Sequence, residues 1–184
     1  MKKFFPAITI SSIFLTILVL QVGLGGNHLN AQKASESEKR NALYEKVLKD
    51  LEVVTTKKTK INFKSVGEKV LILNFWASWC RPCLSEFKAL NKLIKTVDSK
   101  DLLVIGVNND DEDSAKAIIK TTKKYGLNFE SINDSKFGIT SKFLIEKIPA
   151  TIVFHKGKVV FFANEEYDFM NEKFLYKIKK LLKK

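Results

Sequence analysis

Val70-Leu71-Ile72-Leu73-Asn74-Phe75-Trp76-Ala77-Ser78-Trp79-Cys80-Arg81-Pro82-Cys83 is the stretch whose reading decides the fold. Val70 to Trp76 is an apolar run broken only by Asn74, and its length and composition read as a buried strand. Beyond it lie the only two cysteines of the 184-residue chain, three positions apart. Leu84 to Val97 then shows helical periodicity. The thiols therefore stand at a strand-to-helix turn. Cys80 sits where the first helical turn begins, facing unpaired backbone N–H groups and the positive end of the helix dipole. Both favour thiolate and draw a cysteine pKa below its free value of about 8.5. Arg81 adds a positive charge, and Pro82 fits an early helical position where its missing N–H has no partner. Cys83, one turn on, points inward. Cys80 is expected to attack and Cys83 to resolve.

The spacing Leu84, Phe87, Leu90, Ile94 and Val97 predicts the apolar face of this helix. Cys83 lies on that face, and Glu86 roughly 60° from it. Two readings of Glu86 stand. It is a proton acceptor for the resolving thiol, its pKa raised by burial, or an exposed glutamate that favours the helix N-terminus. Position i+4 is Leu90, so no helical ion pair accounts for it. Zinc needs four ligands in a closed site, and the chain offers only His28 and His155 beside the two cysteines. No metal is expected. Asp110-Asp111-Glu112-Asp113 lacks the glycine turn and distal glutamate of a calcium loop, and its place before a helix predicts capping.

The formal charge of +12 raises a nucleic-acid or membrane partner. Of 32 basic residues only Arg40 and Arg81 are arginines. Scattered lysines lack the planar fork that reads phosphate and guanine, so a solvated surface is expected and no nucleic acid. Lys2-Lys3 precede a stretch without an ionisable acid or base from Phe4 to Asn27. This predicts a targeting segment, either a cleaved signal or a retained anchor over residues 4–26. Its length favours the anchor, and both readings export the remainder. A bridge between residues three apart closes almost no chain and adds little stability, so a reactive role is expected of the pair rather than a structural one.

Residues 1–27 are thus read as signal or anchor, 28–48 as linker and short helix (about Glu38 to Leu48), and 49–184 as the main domain. Glu52–Thr56 and Lys60–Phe63 read as a hairpin around Lys57-Lys58-Thr59. Leu102–Val107 is a second buried strand, Asp113–Tyr125 a helix ended by Gly126, and Phe129–Ile132 a short extended piece. A helical stretch follows around Lys136–Leu144. Ala150–His155 and Lys158–Ala163 are strands joined at Lys156-Gly157. A final helix runs over Asn171–Leu182, its Phe174, Ile178, Leu181 and Leu182 stripe docking on the sheet. The alternation predicts an α/β sheet with helices on both faces and an antiparallel edge.

Asn74 to Cys83 resembles the active-site stretch of the thioredoxin superfamily, and Ile148-Pro149-Ala150-Thr151 before a hairpin resembles its cis-proline loop. Within the superfamily the chain is most similar to the TlpA/ResA-like branch of exported bacterial thiol–disulfide oxidoreductases. The 65 residues between Cys83 and Pro149 leave room for that branch's extra strand–helix unit, and Glu86 matches its acidic residue after the motif. The resemblance implies a thioredoxin fold, a central mixed β-sheet flanked by helices on both faces, with an N-terminal β-hairpin and a central strand–helix insert. It implies a redox-active disulfide Cys80–Cys83 and no other cofactor. It further implies a cis peptide at Pro149, and substrate contacts through Trp79, Arg81, Pro82, Ile148 and Pro149. Asn74 departs from the buried aspartate of cytoplasmic thioredoxins, which leaves Glu86 as the acceptor or Asn74 as a hydrogen-bonding strand residue. The implied partners are disulfide-bearing envelope proteins, apocytochrome c among them by analogy, and a membrane thiol transporter of the CcdA or DsbD kind as electron donor. The implied location is the periplasm or the outer face of the cytoplasmic membrane. An oxidase or isomerase of the same fold, or a redox-switched binding module, are the alternatives. A peroxiredoxin has a similar layout but needs a lone peroxidatic cysteine in a different loop.

Overall fold

The computed structural model describes residues 32, 34–66, 69–111 and 114–183. Helix α1 occupies residues 34–49, longer at both ends than the spacing predicts. From Leu43 onward it belongs to a compact unit, Leu43–Lys184, in which everything below is placed. The hairpin forms as expected, β1 (Glu52–Val54) pairing antiparallel with β2 (Lys60–Asn62), and a 3-10 turn follows at Phe63–Val66. The order then runs β3 (Val70–Trp76), α2 (Arg81–Val97), β4 (Leu102–Asn108), α3 (Ser114–Tyr125), β5 (Glu130–Asn133), α4 (Gly138–Lys142), β6 (Ala150–His155), β7 (Lys158–Ala163) and α5 (Glu172–Leu182).

Five strands form one sheet in the order β5-β4-β3-β6-β7. β3 is central, parallel to β4 and antiparallel to β6. Every residue of β3 is buried, because helices cover both faces of the sheet. Its side chains alternate. Val70, Ile72 and Trp76 pack with α2, α3 and α5 through Phe87, Leu90, Leu93, Ile118, Phe174 and Ile178. Leu71, Leu73 and Phe75 pack on the other face with Tyr44 and Leu48 of α1 and with Phe143. By the same period of two, Asn74 falls on the α2 face. This is a thioredoxin fold with an N-terminal hairpin.

Two local features follow directly from residue chemistry. Lys156 and Gly157 both take positive φ, 52° and 72°, the backbone that a two-residue hairpin with the twist of its strands requires. At Gly106 a Cβ would lie 2.5 Å from Ser131 Oγ and 2.6 Å from the Trp76 indole nitrogen. The missing side chain thus makes room for the buried indole that begins the turn to Cys80.

The α2 face is rotated from its predicted position. The buried residues are Cys83, Glu86, Phe87, Leu90 and Leu93, whereas Leu84, Ile94 and Val97 are only partly covered. The strip that meets the sheet takes Leu93 in place of Ile94. Glu86 accordingly sits within the buried strip and not beside it.

Candidate active site

The turn between β3 and α2 is built by short-range bonds. Cys80 N–H donates to Ala77 O at 3.1 Å, and Cys80 is the N-cap of α2, with extended backbone. Its Sγ accepts from the backbone N–H of Cys83 at 3.3 Å, satisfying one of the donors that a helix leaves open at its start. The two sulfurs are joined as a disulfide, with Cα atoms 5.3 Å apart. Pro82 occupies the first turn of the helix. Trp79 is 70% exposed, and Arg81 and Pro82 are exposed beside it. Cys80 and Cys83 are themselves buried, in one apolar cluster with Trp76, Ala77 and Phe87.

The loop is held from behind by Asp110. Its carboxylate is buried and accepts from Ser78 N–H at 3.1 Å, Ser78 Oγ at 2.8 Å and Asn108 Nδ2 at 2.7 Å. Within the acidic run that precedes α3, Asp110 faces the motif turn. Its carboxylate is used up on the turn that carries Cys80, because Asn108 ends β4 beside Trp76. Glu112 and Asp113 lie outside the described residues. The signal for Asp110 was an acid at the end of an apolar strand in register with the motif strand.

The Ile148–Pro149 peptide is cis. Pro149 is buried, and Ile148 is half-buried against the same apolar cluster as the two cysteines. The pairing of Phe75 with Ala150 puts the start of β6 at the edge of the sheet where β3 ends. The structure thus brings the proline loop and the cysteine turn to one end of the sheet.

Glu86 is 2% exposed. Its Oε1 accepts from Tyr167 N–H at 2.7 Å and its Oε2 from Asn74 Nδ2 at 3.3 Å. Tyr167 stands in the loop between β7 and α5, its ring packed on Phe161, Phe169 and Phe174 at centroid distances of 4.8, 5.6 and 5.4 Å. Ser85 Oγ donates to Glu166 in the same loop. Burial raises the Glu86 pKa from its ordinary 4.5 to about 7. The Tyr167 N–H and the Asn74 amide pull it down, and the Glu166 carboxylate pushes it up. The carboxyl is therefore tuned to exchange protons near neutrality. Sequence reasoning found Glu86 and left Thr151, Tyr167 and Glu166 without a part in the site. Thr151 was legible as the residue two after Pro149 on the strand beside β3.

Fold and site together define a thioredoxin-fold protein with a disulfide at the start of α2. The AhpC/TSA family matches residues 45–162, and the chain belongs to that family. The chain is 32% identical over 112 residues to "Thioredoxin-like protein YneN" of Bacillus subtilis (strain 168), covering 60% of this chain and 65% of that protein. It is 31% identical over 102 residues to "Thiol-disulfide oxidoreductase ResA" of Bacillus thuringiensis (strain Al Hakam), covering 55% and 58%. These matches span less than two thirds of the relatives' own length. Among solved structures, a secreted thiol-disulfide isomerase from Corynebacterium glutamicum matches with a TM-score of 0.65 and 25% identity, over 74% of this chain and 86% of that one.

Proposed function

We propose that the protein is a thiol–disulfide oxidoreductase that reduces disulfides of proteins outside the cytoplasm. The observation that carries this reading is the Cys80–Cys83 disulfide at the N-terminus of α2, with a buried carboxyl one helical turn beyond it. In the reduced protein the Cys80 thiolate attacks a substrate disulfide. A bond forms from Cys80 Sγ to one substrate sulfur, and the other substrate sulfur leaves as thiolate and takes a proton from water. Cys83 then gives its thiol proton to Glu86 and attacks Cys80 Sγ. The Cys80–Cys83 bond forms, the mixed disulfide breaks, and the second substrate thiolate takes the proton back from Glu86. Two electrons pass from the protein dithiol to the substrate disulfide.

Exposed Trp79, Arg81 and Pro82 and the Ile148–Pro149 loop form the contact surface for an extended substrate segment in this reading. The names of the relatives support the chemistry, and "secreted" in the Corynebacterium description supports the compartment. Substrates are disulfide-bearing envelope proteins, apocytochrome c among them, and a membrane thiol transporter of the CcdA or DsbD kind re-reduces the pair. The targeting segment, residues 1–27, lies outside the described residues. Among the described residues no helix is long and apolar enough to cross a membrane. The test is turnover. The full chain, kept reduced by a small dithiol, is expected to reduce the disulfides of a model protein catalytically. A rate no greater than that of the small dithiol alone would reject the activity.

A further inference from the structure

One amide interrupts the apolar α2 face of β3. Asn74 is fully buried. Its Nδ2 donates to Glu86 Oε2 at 3.3 Å and to Thr151 Oγ1 at 2.9 Å, and Thr151 is its cross-strand partner on β6. The other end of the amide, Oδ1, is buried without a partner. Leaving a buried polar atom unpaired costs about 1–3 kcal/mol, a cost that leucine at this strand position would not carry. The asparagine stands at the point where the strand that follows Pro149, the motif strand and the Glu86 helix meet.

We propose that Asn74 is the positioning residue that holds Glu86 in both of its protonation states, with the Thr151 hydroxyl following it. A carboxylate only accepts hydrogen bonds, whereas a carboxylic acid has one O–H to donate. A neighbour that serves both must offer a donor to the first and an acceptor to the second. An amide does so by a half-turn about its terminal torsion, which is broad and nearly two-fold. In the arrangement observed, Nδ2 faces Glu86 and suits the ionised carboxylate. After the half-turn Oδ1 faces it and accepts from the acid, the Thr151 hydroxyl changes from acceptor to donor, and Nδ2 takes the unpartnered place of Oδ1, so the acid form bears the desolvation cost that Oδ1 bears in the ionised form. An ionised aspartate at this position would offer acceptors only and add a second buried charge, and leucine would offer neither donor nor acceptor. The other groups that face Glu86 cannot reverse. The Tyr167 N–H is a fixed donor, and the Glu166 carboxylate acts on it by charge alone. The inference rests on the reading of Glu86 as the proton acceptor, which must be ionised and protonated once in each turnover. No electron passes through Asn74.

The test is the titration of the Glu86 carboxyl carbon by NMR in the oxidised full chain, held in detergent micelles and labelled at glutamate, with Glu86→Gln identifying the signal. Asn74→Leu is expected to raise the midpoint by roughly one pH unit, because the charge-assisted bond it removes from the carboxylate is stronger than the neutral bond it removes from the acid. Asn74→Asp is expected to replace the single step by two, the upper one above the wild-type midpoint, because two buried carboxyls in one site do not both ionise readily. Thr151→Ser, which keeps the hydroxyl, should titrate as the wild type does. A Glu86 midpoint unmoved in both Asn74 variants would overturn the proposal. The readout needs no substrate, so it decides the part played by Asn74 even if the wild-type protein turns over no disulfide.

Discussion

Cys80→Ser is expected to abolish disulfide reduction, a loss on the order of 10³-fold or more, while Cys83→Ser stops the same reaction at a different place. A serine hydroxyl at the N-cap still accepts the Cys83 N–H, so the helix start survives. It does not ionise near neutrality, so no nucleophile remains. Cys83→Ser keeps the attacking sulfur and removes the resolving one, and the mixed disulfide accumulates because nothing displaces the substrate from Cys80. The two variants therefore differ in the species they leave behind. Mass spectrometry after reaction with a disulfide-bearing peptide should find a one-to-one covalent adduct on Cys83→Ser and none on Cys80→Ser. The reverse pattern would exchange the roles of the two thiols. Neither substitution should unfold the protein, because a bridge between residues three apart closes too little chain to contribute much by loop closure.

Glu86→Gln is expected to change two pH profiles at once. The folded-state pKa lies near 7 and the ordinary value is 4.5. Between these values the folded protein holds a proton that the unfolded chain has released. Stability from this group is therefore full below pH 4.5 and is lost as pH rises to 7, by roughly 3 kcal/mol for a shift of this size. Glutamine stays neutral, and the variant should be the more stable protein at pH 8, with the wild-type-minus-variant difference vanishing toward pH 4. Urea unfolding across that range checks it, and a difference that does not vary with pH would show that Glu86 titrates normally. In the reaction, resolution of the mixed disulfide should rise through pH 7 as Glu86 ionises and becomes able to take the Cys83 proton. Glu86→Gln removes that rise and slows resolution by roughly 10²-fold at pH 8, with little effect on the first attack at Cys80.

Much of this was legible along the chain because each signal was local. The Val70–Trp76 run, the cysteine spacing and the Lys156-Gly157 turn each specify structure within a few residues, and all three stand as read. What was not legible depends on contacts between distant elements. The rotation of α2 was misjudged because Leu93 and Ile94 are equally apolar, and only the shape of the sheet chooses between them. The part of Asp110 was out of reach because a sequence does not show that the end of β4 lies behind Ser78. The surroundings of Glu86 needed three elements at once: Asn74 from β3, Thr151 from β6 and the Tyr167 amide from the loop before α5. The strand period does place Asn74 on the helix-covered face that includes Trp76, so half of that arrangement was within reach.

The central claim is that this pair works as a reductant. It is tested most directly by the equilibrium reduction potential of Cys80–Cys83 in the full chain, measured against a glutathione or dithiothreitol buffer with Cys80→Ser as the control. A value below about −250 mV, in the range of thioredoxin, is the result predicted here. A value near −120 mV, that of the strong disulfide donors, would contradict it and make the protein an oxidant of thiols.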